Sequence, residues 1–188
     1  MKTITDIKNL TDVEIVDIIK SKKNTQYFGE LYDRYVNKVL NKCLGFCKSI
    51  QEAEDLTQDV FIHAYTKLHT FKSHISFRQW LFVLTYNFCV NYVNRDKNRK
   101  MSRASVELTD ANELLIDVDD NSLFQLKEQQ LEKALEIITP EDKMIVLLKY
   151  QDDLSIKELQ IIFDLGESAI KMRLKRAKSR LIQAYNTL

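Results

Sequence analysis

Apolar side chains recur every three or four residues along most of this chain, which is the spacing of helices that bury one face. In the first hundred residues this pattern predicts helices at about 12–20, 27–47, 50–68 and 77–98. Ser49, followed by Glu52 three residues later, predicts a capped start for the third of them. The stretch 69–76 lacks apolar spacing and predicts a loop. Together these helices predict a bundle that can bury its own core.

The C-terminal part of the chain carries further helix signals. Leu131, Leu135 and Ile138 share one helical face. Thr139 followed by Pro140 predicts the start of another helix, because Thr caps and Pro is tolerated at the first helical position. These residues predict a second helical domain that begins near residue 127.

A short helix, a tight turn and a longer helix end the chain. Ser155 and Glu158 form a capping box for a helix at 156–163. The turn follows at 164–165, and Gly166 is the predicted N-cap of the last helix. Two helices joined in this way, with the second one basic, are typical of proteins that enter the DNA major groove.

The last helix offers a set of candidate DNA contacts. Its apolar positions follow the spacing of a buried face, so the basic and polar positions between them are exposed. Lys and Arg there can pair with phosphates or with guanine edges. The candidates are Ser168, Lys171, Met172, Arg173, Lys175 and Arg176. A basic face that is merely solvated is the alternative, and the capped helix and turn that precede it favour DNA binding.

A polar, acidic stretch separates the two helical regions. Residues 101–126 lack sustained apolar spacing, which is typical of a flexible linker. Fully extended, such a linker reaches on the order of 80 Å. With only three Gly and one Pro in the chain, we predict an all-α protein of two small helical domains, 1–100 and 127–188, joined by a flexible acidic linker.

Composition narrows the class of protein. No apolar run approaches the roughly 20 residues of a membrane span, and the first ten residues carry no signal-peptide core. The three cysteines are odd in number and fit a reducing cytoplasm. Cys43 and Cys47 lie one helical turn apart; they are expected to be small buried hydrophobes, with a metal site as the alternative.

No catalytic constellation is expected. His63, His69 and His74 have no metal-ligand spacing with acids in a shared motif, and there is no phosphate-binding Gly-rich loop. Asp55 and Asp59 are neighbours on one helix, but no matching helix supplies the His or further acid that a metal site would need. An exposed acidic docking face is therefore expected. We therefore expect no enzyme activity and no cofactor.

The fourth predicted helix combines aromatic rings with a basic C-terminal end. Aromatic rings beside positive charge suit single-stranded DNA, because unpaired bases stack on rings for about 1–3 kcal/mol each. The alternative is that many of these rings form the core of the bundle.

Several segments resemble the sigma-70 family of bacterial RNA polymerase sigma factors, and in particular its extracytoplasmic-function (ECF) group. Residues 52–61, Glu-Ala-Glu-Asp-Leu-Thr-Gln-Asp-Val-Phe, look like a signature of that group. Residues 154–181 resemble the family's fourth region. Other matching positions are Phe28, Leu31, Tyr32, Tyr35, Trp80, Leu81 and Asn87.

The resemblance implies a promoter-specificity subunit that binds core RNA polymerase and opens promoter DNA. Docking on the clamp helices of the β′ subunit is implied for Glu54, Asp55, Gln58, Asp59 and Phe61. Capture of the unpaired −10 element is implied for His74, Phe77, Asn87, Asn91, Arg95 and Arg99. The second domain would read the duplex −35 element and touch the β flap, and the linker would run toward the RNA exit path. Many members are held by an anti-sigma protein, and we expect the free protein to be a monomer.

Three departures from the family pattern affect the helix-turn-helix. Gln160 stands where a small Ala is usual, and its bulk is expected to change the angle between the two helices slightly. Asp164 stands where the family usually has Gly, and Asp tolerates the left-handed conformation better than most residues. Gly166 replaces a capping Ser and is a slightly weaker cap.

Two other classes of protein remain open from the residues alone. A dimeric helix-turn-helix regulator would use the first domain for dimerisation, which its acidic face does not favour. A cytoplasmic helical adaptor with a solvated basic end would show no salt-dependent affinity for DNA.

Overall fold

The computed structural model describes residues 7–22, 26–72, 76–101 and 127–188, and within them it contains α-helices and no strands. The chain divides into two compact units, Met1–Tyr92 and Val93–Leu188. The prediction of an all-α protein with two domains is therefore confirmed. The division falls inside a helix, whereas the sequence placed the end of the first domain at residue 100. The predicted linker, 101–126, lies outside the described residues apart from its first residue.

Three of the predicted helices form the framework of the first domain. They are α1 (Asp12–Lys22), α2 (Gln26–Leu44) and α3 (Ile50–Lys67), and a 3₁₀ turn, Leu68–Thr70, follows α3. The predicted N-cap of α3 is confirmed, since the Ser49 hydroxyl accepts a hydrogen bond from the Glu52 amide (3.2 Å). The Glu52 carboxylate in turn accepts from the backbone N–H of Lys48 (2.9 Å), which holds its pKa below the usual range.

The inward face of α1 is formed by Ile15, Val16 and Ile19, which are buried, whereas Val13 is exposed. Ile15, Val16 and Ile19 share one helical face by their three-four spacing, and Val13 lies off that face. A capping box precedes them, in which the Glu14 carboxylate accepts from the Thr11 amide (2.7 Å), and the helix starts at Asp12.

The fourth helix, α4 (Phe77–Met101), contributes aromatic rings to the core of the first domain. Phe77, Phe82 and Tyr86 are fully buried. The alternative that many of these rings form the core is thus the correct one for this part of the helix.

The second domain contains α5 (Glu128–Ile137), α6 (Pro140–Val146), α7 (Ile156–Phe163) and α8 (Glu167–Asn186). The predicted start of α6 is confirmed: the Thr139 hydroxyl caps it, and Pro140 occupies its first turn. The wide π turn that follows, Leu147–Gln151, was not predicted. Asp153 after it has a positive φ of 62°, and Lys149 Nζ donates to the Leu154 carbonyl (3.1 Å) across the turn.

Candidate nucleic-acid interface

The local signals of the predicted helix-turn-helix all take their expected form. Ser155 and Glu158 make the reciprocal capping box at the start of α7. Asp164 ends α7 in the left-handed conformation (φ 51°, ψ 47°), as expected for an Asp at a position that favours Gly. Gly166 is the N-cap of α8 and supplies no side-chain hydrogen bond. The backbone therefore turns sharply between α7 and α8 without a glycine at the left-handed position.

One face of α8 is buried and the opposite face is open. Ile170, Leu174, Ala177 and Leu181 are buried against the rest of the second domain. Of the predicted DNA contacts, Ser168, Lys171, Met172 and Arg176 are exposed, and Arg173 and Lys175 are half-buried. All six predicted residues therefore reach the surface of one helix.

The cations on this face differ in how firmly they are held. Lys171 pairs with Glu167 one turn earlier (2.5 Å), and both side chains are well exposed, so this pair contributes little and opens easily. The guanidinium of Arg173 lies over the ring of Phe163 on α7, 4.8 Å from its centroid. That stacking restricts Arg173 before any ligand binds.

A nearly buried ion pair ties α8 to α6. Arg180 Nη1 lies 2.9 Å from Asp142 Oδ2, and their side chains are 31% and 7% exposed. The backbone amide of Asp142 is also held by the Thr139 hydroxyl (3.2 Å). Sequence reasoning does not find this ion pair, because nothing in the sequence pairs two residues so far apart along the chain.

A groove of about 540 Å³ runs along α8 in the second domain. Its apolar lining comes from Leu165, Ala169 and Met172. Its charged lining comes from Arg173, Arg176 and Arg180, with Glu141 and Asp142 on the side of α6. An open groove with arginines beside an apolar strip can accept a phosphate backbone or base edges.

The exposed face of α3 carries the predicted docking residues except one. Glu54, Asp55, Gln58 and Asp59 are exposed. Phe61 is only 4% exposed and packs on the rings of Phe28 and Tyr32, with centroids 6.4 and 4.7 Å away. The prediction that Phe61 offers a docking contact is corrected for this reason.

The sequence analysis missed Ile62, which is 64% exposed. It follows Asp55 by seven residues and Asp59 by three, so all three side chains lie on the same side of α3. That spacing was the signal that could have found it. Ile62 therefore adds an apolar side chain to this acidic face of α3.

On α4, the residues predicted to capture the −10 element fall into three groups. Asn87, Asn91 and Arg95 are exposed. Phe77 is 1% exposed and packs on other aromatic rings, including Trp80 at 5.6 Å, so its prediction as a direct contact is corrected. His74 lies outside the described residues, and Arg99 lies where only the helix backbone is described.

The cysteines belong to the core of the first domain. Cys43 and Cys89 are buried, with their sulfur atoms 3.9 Å apart, and burial raises the pKa of the half-buried Cys47 thiol to about 11. Within the part of the chain that the structure describes, no group of three or more His, Cys, Asp or Glu side chains could hold a metal ion. Over the same residues, no helix has both the length and the apolar character needed to span a bilayer.

An acidic helical face on one domain and a helix-turn-helix on the other define a two-domain DNA-binding protein. Comparison with known families identifies the family within this class. Residues 31–99 match the model of sigma-70 region 2, and residues 128–181 match that of sigma-70 region 4. The chain is 30% identical to the ECF RNA polymerase sigma factor SigM of Bacillus subtilis, over 84% of this chain and 94% of the relative. It is 25% identical to the ECF RNA polymerase sigma-E factor of Escherichia coli K12, over 93% and 94%.

Solved structures show the same fold. The sigma factor RpoE of Bartonella quintana, in complex with the anti-sigma factor NepR, aligns with a TM-score of 0.58 at 19% identity, over 84% of this chain and 95% of that one. CnrH, in complex with the cytosolic domain of CnrY, aligns with a TM-score of 0.59 at 18% identity, over 93% and 96%.

The chain belongs to the ECF group of the sigma-70 family. It is a sigma factor, a non-catalytic subunit that directs core RNA polymerase to specific promoters for transcription initiation. The family resemblance and the function that it implies are thereby confirmed.

Proposed function

We propose that α8 reads the duplex −35 element through Ser168, Lys171, Met172, Arg173, Lys175 and Arg176. The observation that carries this proposal is the open face of α8, which follows a left-handed turn at Asp164 and lies opposite the buried residues of the helix. In helix-turn-helix proteins the second helix lies in the major groove with such a face toward the bases. The arginines bind guanine edges or phosphates, and the apolar side chains contact bases.

The exposed face of α3 is the proposed docking surface for the clamp helices of the β′ subunit. Glu54, Asp55, Gln58 and Asp59 supply its charge and polarity, and Ile62 supplies the apolar contact that had been assigned to Phe61. Phe61 then has a supporting role, because its packing against Tyr32 holds that part of α3 in place.

Asn87, Asn91 and Arg95 on α4 are the proposed contacts to the unpaired −10 strand. Flipping a base out of the duplex costs a few kcal/mol, and contacts to the captured base must offset that cost. Phe77 supports this helix from within the core, since its ring packs on that of Tyr35 from α2, with centroids 5.6 Å apart.

The remaining proposals concern the cellular setting. The protein works in the cytoplasm, as a free monomer that joins the core enzyme, and its second domain also touches the β flap. The acidic linker runs toward the RNA exit path. A regulatory partner of the anti-sigma type is proposed because RpoE and CnrH were each solved with a partner bound.

Run-off transcription with purified core polymerase tests the proposal. The chain should start transcripts at a defined set of genomic promoters, and Arg176→Ala should weaken the −35 interaction by about 1–3 kcal/mol if Arg176 reads a base edge. Lys133→Ala is the matched control, because Lys133 is an exposed cation on α5, outside the helix-turn-helix. Unchanged promoter affinity in Arg176→Ala would remove that residue from the reading face.

A further inference from the structure

Met172 stands out among the residues of the proposed −35 reading face. It is a large apolar side chain, 46% exposed, on a helix whose other outward residues are mostly cationic or small. A stable fold gains nothing from exposing it, and its neighbours do not cover it. Single exposed apolar side chains are common on protein surfaces, but this one lies among the cations of the proposed reading face, where an apolar group can contact a base.

The helix geometry points Met172 directly away from the core. Ile170 and Leu174, two residues to either side, are buried. At 3.6 residues per turn, two residues correspond to a rotation of about 200° around the axis. Met172 therefore lies at the outermost point of α8, which is the part of a recognition helix that goes deepest into the major groove.

The major groove offers one apolar group to such a side chain. Among the four bases only thymine carries a methyl group there, and apolar side chains recognise thymine through it. Methionine suits this contact because its flexible thioether adapts to the shape of the methyl group. Ala169 and Leu165 line the same groove, so the thioether lies at the edge of a small apolar strip.

The charges around this strip favour DNA over an apolar protein partner. Arg173 and Arg176 line the groove beside Met172, and Arg176 is exposed. Two acids, Glu141 and Asp142, also line the groove, but three arginines outnumber them. Asp142 is compensated by its ion pair with Arg180. A phosphate backbone complements this cationic rim, and the methyl group of a base complements its apolar centre.

We propose that Met172 is a specificity-determining residue that reads the 5-methyl group of one thymine in the −35 element. This inference rests on the proposed reading of the −35 element by α8. It adds the identity of one base, together with the atom by which that base is recognised.

The test removes the methyl group and nothing else. Duplexes are selected from a random library by the full chain, and each thymine of the selected element is replaced in turn by deoxyuridine. Burying one methyl group is worth about 0.8 kcal/mol, so one replacement should weaken binding about fourfold. Met172→Ala should bind the thymine and uracil duplexes equally, whereas Met172→Leu, which keeps an apolar side chain, should restore part of the difference.

A matched control is Ile161→Ala, which removes another exposed apolar side chain, from α7 rather than α8; it should keep the full response to uracil. The inference is overturned if no thymine position responds, if the selected element has no thymine, or if Met172→Ala responds as the unmodified protein does. Failure to enrich any duplex would overturn the proposed −35 reading itself, and the inference with it.

Discussion

The ion pair between Asp142 and Arg180 gives the sharpest prediction about how α8 is held in the second domain. The two side chains meet at 2.9 Å, with Asp142 nearly buried and Arg180 about one third exposed. A hydrogen bond to a charged group contributes about 1.5–3 kcal/mol to stability. Because Arg180 keeps part of its hydration, we expect the lower end, about 1.5 kcal/mol, for Asp142→Asn.

Two probes separate the unfolding of the two domains. The single tryptophan of the chain, Trp80, lies in the first domain, so its fluorescence reports that domain, whereas far-UV circular dichroism reports both. Asp142→Asn should lower the melting temperature of the second domain by about 6–12 °C and leave the fluorescence transition unchanged. Asp142→Asn combined with Arg180→Gln should cost little more than either change alone, because both remove the same contact.

DNA binding supplies an independent check of the same pair. If Arg180 is occupied by Asp142, it is not a phosphate contact, and Arg180→Gln should leave the salt dependence of −35 binding unchanged. If Arg176 binds a phosphate rather than a guanine edge, Arg176→Ala should lower that dependence by about one unit. Additive stability effects in the double variant, or a reduced salt dependence in Arg180→Gln, would refute the assignment of Arg180 to a structural role.

Three other predictions follow from single features of the two domains. Asp164→Ala should destabilise the second domain by about 1 kcal/mol, because Ala has no side chain to satisfy the left-handed backbone, whereas Asp164→Gly should be close to neutral in the same melting experiment. Asp55→Ala with Asp59→Ala should reduce co-purification with core polymerase without shifting the tryptophan transition; Asp33→Ala, an exposed acid on α2, is the control, and normal co-purification of the double variant would remove the docking role. The Cys47 thiol, with its pKa raised to about 11, should react slowly with a disulfide reagent at pH 8 and faster as the pH rises toward 11. Since an unfolded thiol ionises near pH 8.5, Cys47 should also make the fold less stable as the pH rises over that interval, and Cys47→Ala should remove the labelling.

The features that sequence reasoning predicted correctly are local ones. Helix starts at Ser49, Thr139 and Ser155 depend on hydrogen bonds between residues three apart, and the order of residue types shows these directly. The left-handed turn at Asp164 was equally readable. The π turn after α6 was not, because it depends on how that segment packs rather than on a residue type with a matching preference.

The errors at the candidate site have one physical origin. The roles of Phe61 and Phe77 come from the family resemblance, and a resemblance records which residue type is present but not which way its side chain points. Each is buried by aromatic rings from another helix that pack against it, such as Tyr32 of α2 against Phe61. Ile62 was overlooked for the converse reason, since an exposed apolar residue looks like core until its helix is oriented. Residue-level assignments therefore need the packing, whereas the class of protein did not.

The contacts within the second domain divide four side chains of α8 into two kinds. Arg173 lies on the ring of Phe163 and Arg180 is paired with Asp142, so both hold the helix against its neighbours before DNA is present. Arg176 and Met172 are exposed and take no part in those two contacts. An element that is already ordered loses less entropy on binding. A firmly held α8 therefore presents its outermost residues to DNA at a fixed depth and angle. Promoter discrimination should therefore be lost by loosening α8 at Phe163 or Asp142 as well as by changing the residues that touch the bases.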